Sequence, residues 1–292
     1  GIGKDISASA DLFTMTEKTF FSSTEEFIKS NIHETFRNEL ILLKGARRFN
    51  FEKINTLLEE RIHETVLEID LDAVVHNFNF YKAKLKPDVK LICMVKAYAY
   101  GAGAAEIAKT LQYHRCDYLA VAVAEEAVDL RNEGISLPII ILNPEVNGFE
   151  ELITNNLEPE VYNFRILETF IKEAERSGIT DYPVHLKIDT GMHRLGFLPE
   201  QIDQLVNILK QQKGLRIVSI FSHLSASESW SFDDFTHQQI DTFRKVADKI
   251  EKELGYPVYK HILNSAGIER FHEYEWDMAR LGIGLYGVSP SG

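Results

Sequence analysis

The chain has 292 residues, 45% of them hydrophobic and 26% charged, with a formal net charge of −12, enough for one large α/β domain plus a smaller piece. Its charges are scattered rather than gathered into a basic stripe, which excludes nucleic-acid binding; the absence of a bilayer-length apolar run or signal-peptide pattern points away from the membrane. Two cysteines, Cys93 and Cys116, make no disulfide framework and read as reduced thiols of a cytoplasmic protein.

The first sixty residues form a small α/β piece. A helix starts at Thr24–Ile28, a buried strand is expected over Glu39–Leu43, a turn at Lys44–Arg47, and a second helix over Phe51–Glu60. The joint falls at Arg61–Glu64, giving domains 1–62 and 63–292. From Thr65 onward, β-branched apolar runs alternate with helical segments. The runs are Leu91–Val95, Tyr118–Ala122, Pro138–Leu142, Glu158–Tyr162, Val184–Ile188, Ile217–Phe221, Tyr259–Leu263 and Met278–Ile283. Several are apolar almost throughout, as strands covered on both faces of a parallel sheet are. Helical periodicity is clearest from Pro199 to Lys213 and from Asp234 to Leu254. The pattern predicts a closed (β/α)8 barrel of TIM type, with an open doubly wound sheet as the alternative.

Polar residues cluster at the ends of these strands: Lys96, Asp189, Arg194, His223, Asn264–Ser265 and the glycines after Arg280. In a barrel those ends share one face, where chemistry is housed. Lys96 leaves an apolar strand and precedes small residues that open a helix; a lysine pressed into a barrel mouth loses basicity and can form a Schiff base. A lysine snorkelling to water from a strand end is the plainer alternative. Lys187–Phe197 packs cations and an acid into one loop, against the plainer picture of a solvated loop with one Asp–Arg pair. Ser265, Gly282 and Gly284 follow strands seven and eight, where barrel loops commonly bind phosphate. Together with Lys96 and Arg280 they outline a phosphorylated aldehyde cofactor lying across the mouth. No metal site is expected.

At this point the stretch from His63 to Pro290 resembles the N-terminal domain of alanine racemases. The resemblance is carried by Glu68–Leu71 with His76–Asn77, Val95–Ala97 with Ala99–Gly101, Lys187–Met192 with Arg194–Gly196, Asn264–Ala266, and Arg280 with Gly282–Ile283 and Leu285–Gly287. It implies that Lys96 holds pyridoxal 5'-phosphate covalently and then acts as one of two bases. Arg280 would face the pyridine nitrogen and keep it unprotonated, with His223 hydrogen-bonded to Arg280 behind it. Tyr100, Ser265, Gly282 and Ile283 would bind the phosphate, and Asn264 would support the cofactor region. Arg194 would contact the phenolic oxygen and help place the substrate carboxylate. Lys187 matches a lysine often carbamylated in the family, an anionic form that would hold Arg194. The sequence departs from the family pattern at Tyr98, Ala102, His193 and Leu281; none of these changes removes a group with a direct chemical role, and Tyr98 and His193 are expected to bear on access or packing near the pocket.

The same resemblance implies interconversion of L- and D-alanine for peptidoglycan, by a homodimer in the full-length protein. The second base would be a tyrosine of a C-terminal β-domain reaching the partner's barrel. The chain lacks an initiator Met and stops at Gly292, so a fragment without that domain, and with little full racemase activity, is expected. Ile41–Arg47 followed by a helix looks like the end of the C-terminal domain of Mur ligases, notably the one adding D-alanyl-D-alanine, which would make the parent a ligase–racemase fusion. Three other readings remain: a racemase or decarboxylase of another amino acid, a non-catalytic pyridoxal-phosphate carrier, and a remnant that binds no cofactor.

Overall fold

The computed structural model describes all residues except 4, 5, 7, 9, 13–16, 37–39, 45–48, 59–66, 146, 147, 291 and 292. The chain divides into two units, Gly1–Leu67 and Glu68–Gly292. The expected joint at Arg61–Glu64 and most of the turn at Lys44–Arg47 lie outside the described residues.

In the first unit, helix α1 (Thr24–Lys29) begins where the Ser23 hydroxyl accepts the Glu26 N–H at 3.1 Å, with Glu25 and Glu26 in the first turn, an arrangement that satisfies an orphan amide and complements the helix dipole. Helix α2 spans Glu52–Leu58. Phe27 and Ile54 are the large apolar side chains buried among the described residues of this unit, beside a cavity of about 620 Å³ lined by Phe21, Phe49, Phe51 and Leu43 among others. The expected strand at Glu39–Leu43 is not formed: residues 40–43 have no regular structure, and Leu40 and Leu42 are exposed. An apolar run becomes a strand only when a ladder partner and a covering layer meet it; the β-bridge found among the described residues of this unit joins Ile2 to Phe21 instead.

In the second unit all eight expected strands form. They are β1 (Lys90–Met94), β2 (Tyr118–Val121), β3 (Ile139–Ile141), β4 (Glu158–Val161), β5 (Tyr182–Lys187), β6 (Leu215–Phe221), β7 (Tyr259–His261) and β8 (Met278–Leu281). The strands are parallel in the order β7-β6-β5-β4-β3-β2-β1-β8. The two end strands meet through the Arg280 N–H to Leu263 carbonyl bond at 2.9 Å and the Asp277 N–H to Lys260 carbonyl bond at 3.1 Å. The sheet is thus a nearly closed (β/α)8 barrel, not an open one.

Helix α3 (Leu71–Lys82) precedes β1; α4 (Ala104–Tyr113), α5 (Ala124–Asn132), α6 (Phe149–Thr154), α7 (Phe164–Arg176), α8 (Ile202–Gln211), α9 (Asp233–Leu254) and α10 (Ser265–Arg270) follow successive strands. Helix α7 shows the logic. The Asn163 side chain accepts the Ile166 N–H at 2.9 Å, and Ile166, Leu167, Phe170 and Ala174 make the buried stripe laid on the sheet. Helix α9 ends at Gly255, whose φ of 73° suits glycine.

Two hydrophobic layers result. The larger lies between sheet and helices; the smaller fills part of the barrel lumen with Ile92, Met94, Ala120, Ile140 and Met278. Strand residues alternate between the layers, as the period of two requires. Cys93 and Cys116 are free, buried thiols in the outer layer. No helix among the described residues is long and apolar enough to cross a membrane.

Candidate active site

A cavity of about 580 Å³ opens where the strands end, and it brings the expected residues together. Lys96, Tyr100, Lys187, Arg194 and His223 line it from the β1, β5 and β6 sides; Asn264, Ser265, Arg280, Gly282 and Ile283 line it from β7 and β8.

Lys96 is half-buried directly after β1. The residues after it do not open a right-handed helix as expected. Ala97, Tyr98, Ala99 and Tyr100 have φ of 52°, 52°, 56° and 56°, a left-handed turn, and α4 starts only at Ala104. Each such residue costs roughly 1–2 kcal/mol, so the turn persists because its surroundings impose it. The Glu126 carboxylate accepts the Ala97 N–H at 2.6 Å and the Ala122 N–H at 2.8 Å, tying this turn to the loop after β2. The turn carries the Tyr100 ring to 4.9 Å from Tyr286, whose hydroxyl donates to the Met94 carbonyl at 2.8 Å. Lys96 Nζ lies 6.0 Å from the Tyr100 ring centroid.

Arg280 lies on the lumen face of β8 and is 5% exposed. Its Nη1 donates to His261 Nδ1 at 2.6 Å, and its Nη2 to the Ser222 and Ile262 carbonyls at 2.5 and 3.1 Å. A guanidinium has five N–H groups; these three bonds leave Nε–H and one Nη1–H without a partner among the described residues, on a side chain that lines the cavity. Burial pushes the group down to about 10, so it stays a cation at neutral pH. The ring nitrogen bonded to Arg280 therefore belongs to His261 and not to His223. His223 lines the same cavity, and desolvation, reinforced by Arg280, Lys187, Arg194 and Lys96, holds its imidazole well below the usual histidine range.

Lys187, at the end of β5, is 8% exposed and stands 3.7 Å from Glu160 Oε1 of β4. That distance is too long for a hydrogen bond, and Glu160 Oε1 is buried without one. Burial pushes Lys187 down and Glu160 up; each partner's charge offsets part of the shift. The Phe221 ring centroid lies 4.4 Å from Lys187 Nζ and 5.2 Å from Arg280 Cζ, within cation–π range of both.

The loop bearing Arg194 folds back on β5: Phe197 N–H donates to the Lys187 carbonyl at 2.9 Å and Asp189 N–H to the Phe197 carbonyl at 3.0 Å. Gly196, at φ 131°, is required there, since a Cβ would meet the Asp189 nitrogen at 2.5 Å. Asp189 Oδ1 accepts the Gly191 and His193 N–H groups at 2.9 and 3.1 Å. The acid thus shapes its own loop, and Arg194 is exposed at the mouth with no hydrogen bond or ion pair among the described residues. At the opposite rim the Ser265 hydroxyl accepts the Gly282 and Gly284 N–H groups at 2.9 and 3.3 Å. A Cβ on Gly282 would lie 3.5 Å from the Tyr100 hydroxyl, so glycine keeps this corner open. Asn264 caps α10 by accepting the Gly267 N–H at 2.8 Å, accepts the Ser227 hydroxyl at 2.9 Å and donates to the Leu224 carbonyl at 3.2 Å. Its task is to join two loops.

Glu160, His261 and Phe221 were not among the expected site residues. The signal for Glu160 and His261 is the alternation Glu158/Glu160, His185/Lys187 and Tyr259/His261, which puts polar groups at every second position of strands that otherwise read as apolar; Phe221 carries no such signal.

A family profile described as "Alanine racemase, N-terminal domain" matches residues 69–290. The chain belongs to the alanine racemase family. The alanine racemase of Thermodesulfovibrio yellowstonii is 38% identical over 229 residues, covering 77% of this chain and 60% of that protein. Among solved structures, the alanine racemase of Clostridium difficile 630 in complex with cycloserine superposes with a TM-score of 0.73 at 35% identity, covering 78% of this chain and 64% of that one. The alanine racemase of Bartonella henselae with covalently bound pyridoxal phosphate gives 0.67 at 28% identity, covering 77% and 61%. The chain thus spans about 60% of the length of the alanine racemase it matches, and the family-wide profile falls wholly on the barrel unit.

Proposed function

We propose that the barrel unit binds pyridoxal 5'-phosphate and carries one face of an alanine-racemising site. The observation that carries this reading is the convergence of Lys96, Arg280 and the Ser265–Gly282–Tyr100 corner on one cavity. The residues fit the cofactor: an unspent N–H donor on a buried guanidinium for the ring nitrogen, a hydroxyl and an open glycine for the phosphate, and an amine at the mouth for the aldehyde. When bound, pyridoxal phosphate withdraws electrons from the substrate Cα–H bond and so acidifies it. Lys96 Nζ anchors the cofactor and then takes or returns the Cα proton on one face. Arg280, held as a cation, keeps the ring nitrogen unprotonated and tempers that withdrawal. Arg194 helps place the substrate carboxylate at the mouth, and Lys187 in carbamylated form would hold Arg194. Tyr100, Ser265, Gly282 and Ile283 hold the phosphate end, with Asn264 fixing the loop beneath. Carbamylation of Lys187 is favoured by its burial and opposed by Glu160, which already supplies an anion beside it. Racemisation also needs an acid–base group on the opposite face, which we assign to a homodimeric full-length protein in the cytoplasm.

The test is loss of the α-hydrogen from D- and L-alanine in D2O with added pyridoxal phosphate, with Lys96→Ala as control. A visible cofactor band and exchange, both abolished by the substitution, are expected. A Lys96-dependent band without exchange of either enantiomer would reduce the barrel to a cofactor carrier.

We further infer that residues 1–62 are the C-terminal remnant of a Mur ligase of the D-alanyl-D-alanine-adding type, on the Ile41–Arg47 motif and the helix that follows it. ATP-dependent dipeptide addition by the full-length parent is the expected result; its absence would sink this assignment.

A further inference from the structure

Below Arg280, a file of polar side chains crosses the barrel lumen that cofactor binding alone does not require. Glu158 Oε2 is 2.8 Å from His185 Nε2, and His185 Nδ1 is 2.7 Å from the Ser219 hydroxyl. That hydroxyl is 3.0 Å from His261 Nε2, and His261 Nδ1 is 2.6 Å from Arg280 Nη1. Five neighbouring strands, β4 to β8, contribute one residue each. His185, Ser219 and His261 are fully buried, while Glu158 at the start of β4 retains slight exposure.

The hydrogen positions follow from donor and acceptor capacity. A guanidinium only donates, so His261 Nδ1 accepts and the neutral ring carries its proton on Nε2. That N–H donates to the Ser219 oxygen, which spends its own hydrogen on His185 Nδ1. His185 then carries its proton on Nε2 and donates to Glu158. Each group is satisfied, and all four bonds run in one direction. A doubly protonated His185 would break the pattern, because Ser219 would receive two donors and its own hydrogen would have neither ring to go to. The Phe221 ring stacks on His261 at 4.8 Å and 2°, holding the imidazole plane in line with Arg280.

We propose that Glu158, His185, Ser219 and His261 form a one-way hydrogen-bonded relay that couples the carboxylate at the foot of the lumen to the Arg280 guanidinium at the cavity. These are positioning residues: the relay fixes the His261 tautomer, and with it the Arg280 N–H groups left unspent. That Arg280 meets a cofactor ring rests on the proposed function; the relay itself stands without cofactor. Buried chains of hydrogen bonds polarise one another, so a charge removed at Glu158 is felt at His261 only while Ser219 has its hydroxyl.

Long-range proton–nitrogen correlation spectra of histidine-labelled, cofactor-free protein test this, with His261→Asn used for assignment. In the wild type, both His185 and His261 are expected to carry their proton on Nε2 alone at neutral pH. Glu158→Gln, which keeps an acceptor but removes the charge, shifts the His261 Nε2–H resonance upfield, and Ser219→Ala removes that response. A His261 proton on Nδ1, a doubly protonated His185, an unmoved His261 in Glu158→Gln, or a response that survives Ser219→Ala overturns the relay. The wild-type tautomers decide the bond direction even if Ser219→Ala fails to fold. Because no cofactor is used, a negative result here leaves the proposed function untouched, and failure of cofactor capture leaves the relay untouched.

Discussion

The two sides of the barrel lumen are built by opposite rules. From β1 to β3 the inward residues are Ile92, Met94, Ala120 and Ile140, joined by Met278 of β8, and they pack as an ordinary apolar core. From β4 to β7 the same layer holds Glu158, Glu160, His185, Lys187, Ser219, Phe221 and His261, with Arg280 of β8 facing them. Burying charges and imidazoles costs more than burying isoleucines, so the second side is a poor way to stabilise a barrel. What it supplies is direction: cations and fixed hydrogen bonds aimed at the mouth. One side holds the barrel shut, and the other sets its chemistry.

The largest effect should come from splitting the buried pair. Lys187→Met, leaving Glu160 unpaired, is expected to lower unfolding stability by about 3–5 kcal/mol. The double variant Glu160→Leu/Lys187→Met should recover most of it in denaturant melts. If the double variant stays as weak as the single one, the polar side contributes stability after all. On the apolar side, Ile92→Ala should cost about 2–5 kcal/mol through the cavity it leaves, with the Lys96-dependent cofactor band unchanged in position. A displaced band would show that the two sides are not separable.

A smaller effect distinguishes the sides by pH. His223 and His261 are held well below their ordinary value near 6.5, chiefly by burial. As pH falls past that value the unfolded chain takes up protons that the folded one refuses, so stability present above it is lost on acidification. The slope is about 1.4 kcal/mol per pH unit for each histidine. Glu160, pushed up by burial, acts in the opposite sense nearer the carboxylate range. The useful window is therefore roughly pH 7.5 to 6, and a flat unfolding free energy across it would contradict the buried neutral imidazoles. The smallest change expected is at exposed Tyr98, whose φ of 52° favours glycine. Tyr98→Gly should raise stability by about 0.5–1 kcal/mol, seen as a modest rise in Tm; a fall would mean that the tyrosine ring does more than its exposure indicates.

The barrel was legible because its strands and helices obey simple periods, and because Lys96, Lys187, Arg194, Asn264, Ser265 and Arg280 stand at strand ends. Three things were not. The run at residues 40–43 has the composition of a strand, but pairing depends on a partner that composition does not reveal. The turn after Lys96 is anchored by Glu126, a carboxylate on another element, against the right-handed preference of Ala97–Tyr100. The family resemblance implies His223 as the partner of Arg280, whereas the bond is made by His261 from the neighbouring strand. Contacts across strands belong to register, which the period of two reports only as a face.

The left-handed turn also bears on what holds the site in place. Its four residues hold a disfavoured conformation that is offset in part by bonds within the turn, such as Gly101 N–H to the Ala97 carbonyl at 3.0 Å, and the Glu126 anchor needs β1 and β2 side by side. Lys96 and Tyr100 are therefore held in place in part by a contact that exists only where β1 and β2 are paired. The lysine's socket thus depends on Glu126, a carboxylate on a helix that does not line the cavity.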